Sequence, residues 1–308
     1  MKSIGSAFDS LDEAFIWVLQ QLLQHGTQSD PRGLPTLELF PLAFTLRDPR
    51  RRYISVPERR WSVVYAIAEF CWHARGSSLV DEIAHYAPRW RQMANACGEV
   101  TGSSYGARVF GDGSGRRSQW DRVLQELRSD PSTRRAVLYF PNFEKSSSDD
   151  VACAVSLQFV LRGGRLDALA TMRSNDAMLG MPYDVFFFSM LQEMVATELG
   201  AQLGQYHHVA GSLHIYENDV LQARRIVASH PVEARPMAKM SDARGLQVLL
   251  DGEIACRLHD PTHPVERVAD SYWTDLLSVI RQWHVKDWPK SSDCIVDPVL
   301  SHLYSLRF

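Results

Sequence analysis

The stretch Arg173-Ser174-Asn175-Asp176-Ala177-Met178-Leu179-Gly180-Met181-Pro182-Tyr183-Asp184 decides how this chain is read. It holds an arginine, three hydroxyl or amide side chains and two carboxylates. Just upstream, Val155 to Arg162 and Arg165 to Met172 read as a β-hairpin closed by Gly163-Gly164. Leu166, Ala168, Ala170 and Met172 fall on one face of the return strand. Just downstream, Asp184 opens an apolar helix from Val185 to Leu199, where Asp is a good N-cap. Polar groups crowded between two buried elements are expected to hold a ligand.

Working outward, residues 8–25 read as an amphipathic helix and residues 58–75 as a second, strongly apolar one. Glu69 sits inside the latter, either on a narrow polar face or buried for acid/base work, since burial raises a carboxylate pKa. Residues 79–95 read as further helix with Trp90 near its end, where tryptophan is usually core. Thr36 to Phe40 and Leu42 to Leu46 read as strands that pair. The basic run Arg50-Arg51-Arg52 reads as a solvated loop. Gly98 to Gly115 reads as a Gly/Ser-rich loop without a nucleotide fingerprint, and Pro141 to Asp150 as a polar loop. Arg134-Arg135 opens a strand to Phe140; one is solvated, or both reach an anion from the strand end. Residues 206–213 resemble a strand, and helix follows from about Asn218 to Val227. Short strands and one helix, Tyr272 to Trp283, are expected beyond. One domain spans 1–308.

The bulk numbers narrow the class. With 45% hydrophobic and 22% charged residues the chain is ordinary for a soluble globular protein. No apolar run approaches the ~18 residues that span a bilayer, and Met1-Lys2-Ser3-Ile4-Gly5 has no long apolar segment of a secretory signal. A net charge of −3 gives no global drive toward nucleic acid or anionic membrane, so any anion needs a local arginine cluster. The five cysteines are odd in number and lack CxxC spacing, which argues against disulfides and zinc and fits a cytoplasmic setting.

Several spaced motifs together resemble the thymidylate synthase family. RSNDAMLGMPYD, then an apolar helix, then GSLHIYEN, is similar to that family's R-S-x-D-x-x-L-G-x-P-[FY]-[ND] and G-x-x-H-x-Y-x-N. Asp130-Pro131-Ser132-Thr133-Arg134-Arg135 resembles D-P-x-x-R-R. Tyr105-Gly106 and Glu69 with Trp72 fit further motifs, and Cys153 before Leu157-Gln158-Phe159 sits where the family places its nucleophile. The matches run in order over roughly residues 30–220. The resemblance implies an α/β fold with a large mixed β-sheet flanked by helices, and a homodimer packed sheet against sheet. It also implies 5,10-methylenetetrahydrofolate as co-substrate, a pyrimidine nucleotide monophosphate as partner, and no metal.

The roles it implies are these. Cys153 is the thiolate that adds to C6 of the base, its pKa lowered by the phosphate-binding arginines; alone, a single Cys reads as an inert buried residue. Arg173 and Ser174 bind phosphate, Arg32 assists, and Arg134 and Arg135 reach across from the partner subunit; the planar guanidinium suits phosphate oxygens. His214 and Tyr216 hold the sugar. Asp176, Gly180 and Tyr183 belong to the folate site, with Trp90 a stacking candidate. Glu69 orients a water and shuttles protons, and Tyr105 assists beside Cys153.

Three departures bear on substrate and outcome. Thymidylate synthases usually carry Asn at the position of Asp184. A protonated Asp there matches N3 and N4 of cytosine, and family members with Asp act on cytidylates. Met172 replaces the usual Gln, and His302 to Phe308 lacks the family's small apolar tail. These point to a cytidylate 5-hydroxymethylase, similar to phage-type dCMP enzymes and to CMP enzymes of nucleoside-antibiotic pathways. Small Ala177 leaves room for a 2′-hydroxyl and tilts the choice to CMP. The alternatives are a thymidylate synthase acting on dUMP and a nucleotide-binding regulator without chemistry.

Overall fold

A computed structural model describes residues 5–111, 117–141, 150–229, 234–260, 271–285 and 295–306. The loop readings for 112–115 and 142–149, Cys294, and both extreme ends of the chain lie outside the described residues.

The chain opens with β1 (Ser6–Phe8) and α1 (Leu11–His25). Ser10 caps α1 by accepting from the Glu13 N–H, so Phe8 belongs to a strand and not to the expected helix. Then come β2 (Thr27–Ser29), β3 (Thr36–Leu39) and β4 (Leu42–Leu46). β3 and β4 were expected to pair with each other. Instead both lie against one long strand further on. Helix α2 (Val63–Ala74) starts after its cap Ser62, five residues later than the apolar pattern suggested. The expected helix over 79–95 splits into α3 (Val80–Ala84) and a 3-10 turn, Pro88–Met93. Proline at 88 supplies no N–H to continue a helix. α4 (Gly106–Phe110) and α5 (Gln119–Ser129) follow, the former inside a stretch read as loop.

The second half carries β5 (Val137–Tyr139), β6 (Ala154–Arg162), β7 (Arg165–Asp176), α6 (Gly180–Glu198), β8 (Gln202–Tyr216) and α7 (Val220–Ala228). The described residues of the last third form helices and no strand: α8 (Leu246–Leu258), α9 (Ser271–Val285) and α10 (Pro298–Ser305). Short strands were expected there, because a short apolar run fits a buried helix as well as a strand. These helices pack on α2, with Trp273 stacked 6.5 Å from Phe70.

Among the described residues the sheet has eight strands, in the order β1-β4-β8-β7-β6-β5, with β3 continuing the β4 side of β8 and β2 on β3. β7 and β8 are parallel and β1 is parallel to β4; the other pairs are antiparallel. A parallel neighbour needs a crossover connection, and α6 provides it. β8 is the organising strand: β7 lines one side, and β4 then β3 line the other. The register sets Ser174 beside Ser212, Asn175 beside Leu213 and Asp176 beside His214.

Two boundaries reshape the deciding stretch. β7 does not end at Met172 but runs through Asp176. Helix α6 begins at Gly180, so Asp184 lies one turn inside it and is no N-cap. Pro182 is tolerated because first-turn N–H groups lack intrahelical partners. Inward-facing parity also slips at one level. β7 buries Leu166, Ala168, Ala170 and Met172, then Asn175; β8 buries Tyr206, His208 and Ala210, then Leu213. Here Gly211 packs so close that a Cβ would sit 2.9 Å from the Arg173 carbonyl oxygen. The slip leaves Ser174, Asp176, His214 and Tyr216 facing a common space.

The basic run is not a solvated loop. Arg52 is fully buried and pairs with Glu193 of α6, whose other oxygen accepts from the Met240 N–H at 2.9 Å. Removing one partner of a buried pair strands the other charge. Glu193→Ala is therefore expected to destabilise the fold by about 3–5 kcal/mol, read as a lower urea midpoint. An unchanged midpoint would show the pair to be idle.

Candidate active site

The β7, β8 and α6 ends meet α2 and the Pro88–Met93 turn around a cavity of about 370 Å³. Its wall includes Cys153, Glu69, Tyr105 and Asp184, together with Arg32, Arg173, Ser174, Asp176, Gly180, Tyr183, His214, Tyr216 and Trp90. Every residue given a catalytic or binding role above for one chain's own pocket is there; Ala177, expected to leave room at the sugar, is not. Arg134 and Arg135 are not: both are exposed, ahead of β5 rather than on it. Arg135 pairs with Glu126 at 3.3 Å.

Cys153 stands immediately before β6, and its carbonyl accepts the Arg173 N–H at 2.8 Å. The Arg173 guanidinium is held by the Ala152 and Val151 carbonyls, each at 2.8 Å, and reaches the Cys153 sulfur at 3.9 Å. That charge was expected to depress the thiol pKa. Burial outweighs it: the Cys153 thiol is pushed above its ordinary value, with Arg173 pulling it down and Asp184 pushing it up. Beside it, the Tyr105 hydroxyl accepts from the Ala154 N–H at 3.4 Å, and burial holds the phenol well above its ordinary range.

Glu69 ends a hydrogen-bond chain with one possible polarity. The Trp90 indole N–H donates to the Tyr65 hydroxyl at 2.8 Å, and Tyr65 donates to Glu69 Oε1 at 2.5 Å. Indole is a donor only, so Tyr65 accepts there and has its own proton to give to Glu69. Oε1 is thus occupied, and a proton on the carboxyl belongs on Oε2. Burial raises the Glu69 pKa to about 7, against the lowering hydrogen bond from Tyr65 and the charge of Arg89. A carboxyl poised there can both take and give a proton near neutrality.

Asp184 lies deeper and is pushed up to about 8, first by burial and then by Glu69, while the Asn175 hydrogen bond opposes the shift. Asn175 Nδ2 donates to Asp184 Oδ2 at 2.8 Å. Asp176 turns one oxygen to the Met178 and Leu179 N–H groups at 2.8 and 3.0 Å, leaving the other for a ligand. Gly180 lies against the Asn175–Asp184 bond; a Cβ there would sit 3.4 Å from both partners. Tyr183 accepts from the Ser62 N–H at 3.1 Å, stacks on Trp61 at 5.7 Å and meets Tyr65 edge-on. Ala177, expected beside the sugar, is fully buried with its N–H on the His214 carbonyl, and does not line the cavity.

Residues not singled out also line the wall. Tyr65 and His73 bracket Glu69 at i−4 and i+4 on α2, a polar stripe legible as such on an otherwise apolar helix. His73 Nδ1 accepts from the Tyr105 N–H at 3.2 Å, its ring stacks on Tyr105, and burial lowers its pKa to about 3. Arg89 sits 5.4 Å over the Tyr65 ring.

The wall joins two chemistries. Arg32, Arg173, Ser174, His214 and Tyr216 offer donors for a phosphorylated sugar. Met93, Leu179, Trp90 and Gly180, with the Asp176 carboxylate, offer an apolar bed beside an acceptor, which fits a flat donor-bearing ring such as a reduced pterin.

Comparison with known proteins agrees with this geometry. Residues 13–252 match the family described as thymidylate synthase. A curated relative, the deoxyuridylate hydroxymethyltransferase of Bacillus phage SP01, is 30% identical over 220 residues, covering 67% of this chain and 57% of the relative. The chain thus spans little more than half the length of that relative. It belongs to the thymidylate synthase family. Among the described residues no helix is long and apolar enough to cross a membrane.

Proposed function

We propose that this chain is a cytidylate 5-hydroxymethylase acting on CMP or dCMP with 5,10-methylenetetrahydrofolate. The observation that carries the reading is Asp184 on the same wall as Cys153, with a carboxyl that keeps its proton to about pH 8. A protonated carboxyl offers one donor and one acceptor side by side. Cytosine presents the matching acceptor N3 and donor N4 amino group; uracil presents the reverse.

The thiolate of Cys153 adds to C6 of the base, and C5 becomes nucleophilic. Methylenetetrahydrofolate supplies the one-carbon unit at C5; the C5 proton is then lost as the carbon–nitrogen bond breaks and ends on the departing nitrogen, so that tetrahydrofolate, held by Asp176 and the apolar bed around Trp90 and Gly180, leaves behind an exocyclic methylene. Glu69 Oε2 takes the proton of a water as its oxygen bonds to the new carbon. The electron pair that this addition returns to the ring expels the Cys153 sulfur from C6 as thiolate and restores the aromatic ring, with Tyr105 beside the sulfur. Arg173, Ser174 and Arg32 bind phosphate, and His214 and Tyr216 the sugar.

Arg134 and Arg135 complete the phosphate site of a second copy. Their exposure outside their own cavity supports this, as does the opposite sheet face, where Val160, Leu169, Thr171, His207 and Val209 are only half-buried.

The phage relative's name favours a second reading, hydroxymethylation of deoxyuridylate. One assay separates the readings: CMP, dCMP, UMP and dUMP, each with methylenetetrahydrofolate, with products identified by mass. We expect hydroxymethylated cytidylate and no dihydrofolate. A uracil nucleotide as the sole one to be modified, methylated or hydroxymethylated, would overturn the reading.

A further inference from the structure

Asp184 is held from behind by three residues in line. Tyr206 and His208 come from β8 and Asn175 from β7. The Tyr206 hydroxyl lies 3.0 Å from His208 Nδ1, His208 Nε2 lies 2.9 Å from Asn175 Oδ1, and Asn175 Nδ2 lies 2.8 Å from Asp184 Oδ2. Tyr206, His208 and Asn175 are all buried, the first completely. Of the three, only Asn175 reaches the cavity wall. The hydroxymethyl transfer set out above makes no use of Tyr206 or His208.

We propose that Tyr206, His208 and Asn175 are positioning residues that fix the hydrogen-bonding polarity of Asp184 and thereby set which base edge it accepts; this rests on the cytidylate reading. The chain has two conceivable directions. In the first, Tyr206 O–H donates to Nδ1, Nε2–H donates to Asn175 Oδ1, and Nδ2–H donates to Asp184. Every group is satisfied. In the second, Asp184 donates to Asn175 Oδ1, Nδ2–H donates to Nε2, and Nδ1–H donates to the Tyr206 oxygen. The fully buried Tyr206 O–H then has no acceptor among the described residues. An unmade hydrogen bond on a buried donor is costly, so the first direction holds. It requires neutral His208, and burial lowers that imidazole to about 3.

Direction decides what Asp184 offers. In the first, Oδ2 accepts from the protein, so the carboxyl proton rests on Oδ1 and is free to donate to a base nitrogen. In the second, that proton is consumed by Asn175, and the carboxyl turns only lone pairs to the ligand. The first direction suits the acceptor N3 of cytosine; the second suits the N3–H of uracil. Tyr206, with no contact to substrate, thus selects the base through the tautomer of His208. The ionisable groups facing Asp184 are Glu69 of α2, Asp176 of β7, Tyr206 of β8, Cys153 and Tyr105.

Tyr206→Phe removes one oxygen and releases the tautomer. We expect the ratio of kcat/KM for CMP over UMP, or for dCMP over dUMP if the deoxynucleotides are preferred, to fall about five- to tenfold, the scale of one hydrogen bond. Asn175→Ala should lower the ratio further. It should also move the alkaline loss of cytidylate affinity, titrated in a Cys153→Ser background, to higher pH, because the carboxylate loses its N–H donor. A merely structural role would leave both the ratio and that pH limb in place. If Asn175→Ala does not fold, Tyr206→Phe decides alone. A wild-type enzyme that prefers uridylates overturns the substrate reading. A wild type that prefers cytidylates, with an unchanged ratio in Tyr206→Phe, overturns the relay and leaves the substrate reading intact.

Discussion

Turnover is expected to fall by about 10⁴-fold or more when Cys153 is replaced by serine, the scale seen when a covalent nucleophile is removed. The two side chains are nearly isosteric, so the cavity and its phosphate donors remain. Nucleotide binding should persist. What is lost is ionisation. Burial already pushes the Cys153 thiol above its ordinary value, and Arg173 at 3.9 Å only partly opposes that. A serine hydroxyl is a far weaker acid than a thiol and would stay neutral in the same pocket. The check is release of tritium from C5-labelled cytidylate in the presence of methylenetetrahydrofolate. No release together with intact nucleotide binding supports covalent addition at C6. Normal release would remove Cys153 from the mechanism, and with it the whole proposed sequence of steps.

Much of this cavity was legible in the sequence, through its resemblance to the thymidylate synthase family more than through local pattern. Arg173, Ser174, Asp176, Gly180, Tyr183, Asp184, His214 and Tyr216 belong to two family motifs of the sequence, and all line one wall. Their proximity has a simple cause. β7 and β8 are parallel neighbours in register, so two motifs some forty positions apart lie side by side. What stayed hidden depended on where elements begin and end. Asp184 looked like a helix cap because the apolar run starts after it, but α6 starts at Gly180, with Pro182 in its permissive first turn. Arg52 looked solvated because it sits among other arginines. Its partner Glu193 is 141 positions away, and no local pattern can announce a pair at that separation.

Other residues were hidden for a subtler reason. His208 and Tyr206 carry polar atoms on a strand face that is otherwise core, a placement that reads as packing until Asn175 is seen to complete it. Tyr65 and His73 share a face with Glu69 and could have been found from their spacing. Arg89 and Trp90 stand on a 3-10 turn, where helical periodicity says nothing about which side chains face inward. The thiol shift ran opposite to expectation because sequence names the charges near a group but not the depth at which it is buried.

Asp184→Asn is expected to exchange the base. The amide keeps the size of the carboxyl, yet it offers a fixed donor and a fixed acceptor; presenting them to O4 and N3–H of uracil sets its Nδ2 against Asn175, whose amide must then turn over and run the relay in its second direction. Two contacts change sense, each worth about 1–3 kcal/mol when a buried donor or acceptor is left unmatched, so the kcat/KM ratio of cytidylate over uridylate should fall by about 10²- to 10⁴-fold. A pH signature accompanies the switch, and its sign follows from the raised pKa. Below about pH 8 the wild-type carboxyl is protonated and can donate to N3; as pH rises through that value the proton leaves and cytidylate affinity falls. The amide has no such proton. Affinity of the variant for uridylate should therefore be flat across the range in which wild-type affinity for cytidylate declines. Measuring both affinities in Cys153→Ser backgrounds separates this titration from that of the thiol. If wild-type affinity shows no alkaline loss, recognition of the base lies elsewhere on the wall, and Asp184 is left as a buried carboxyl without a role in selection; cytidylate preference kept by Asp184→Asn with the alkaline loss abolished would instead show the relay holding the amide in its first direction.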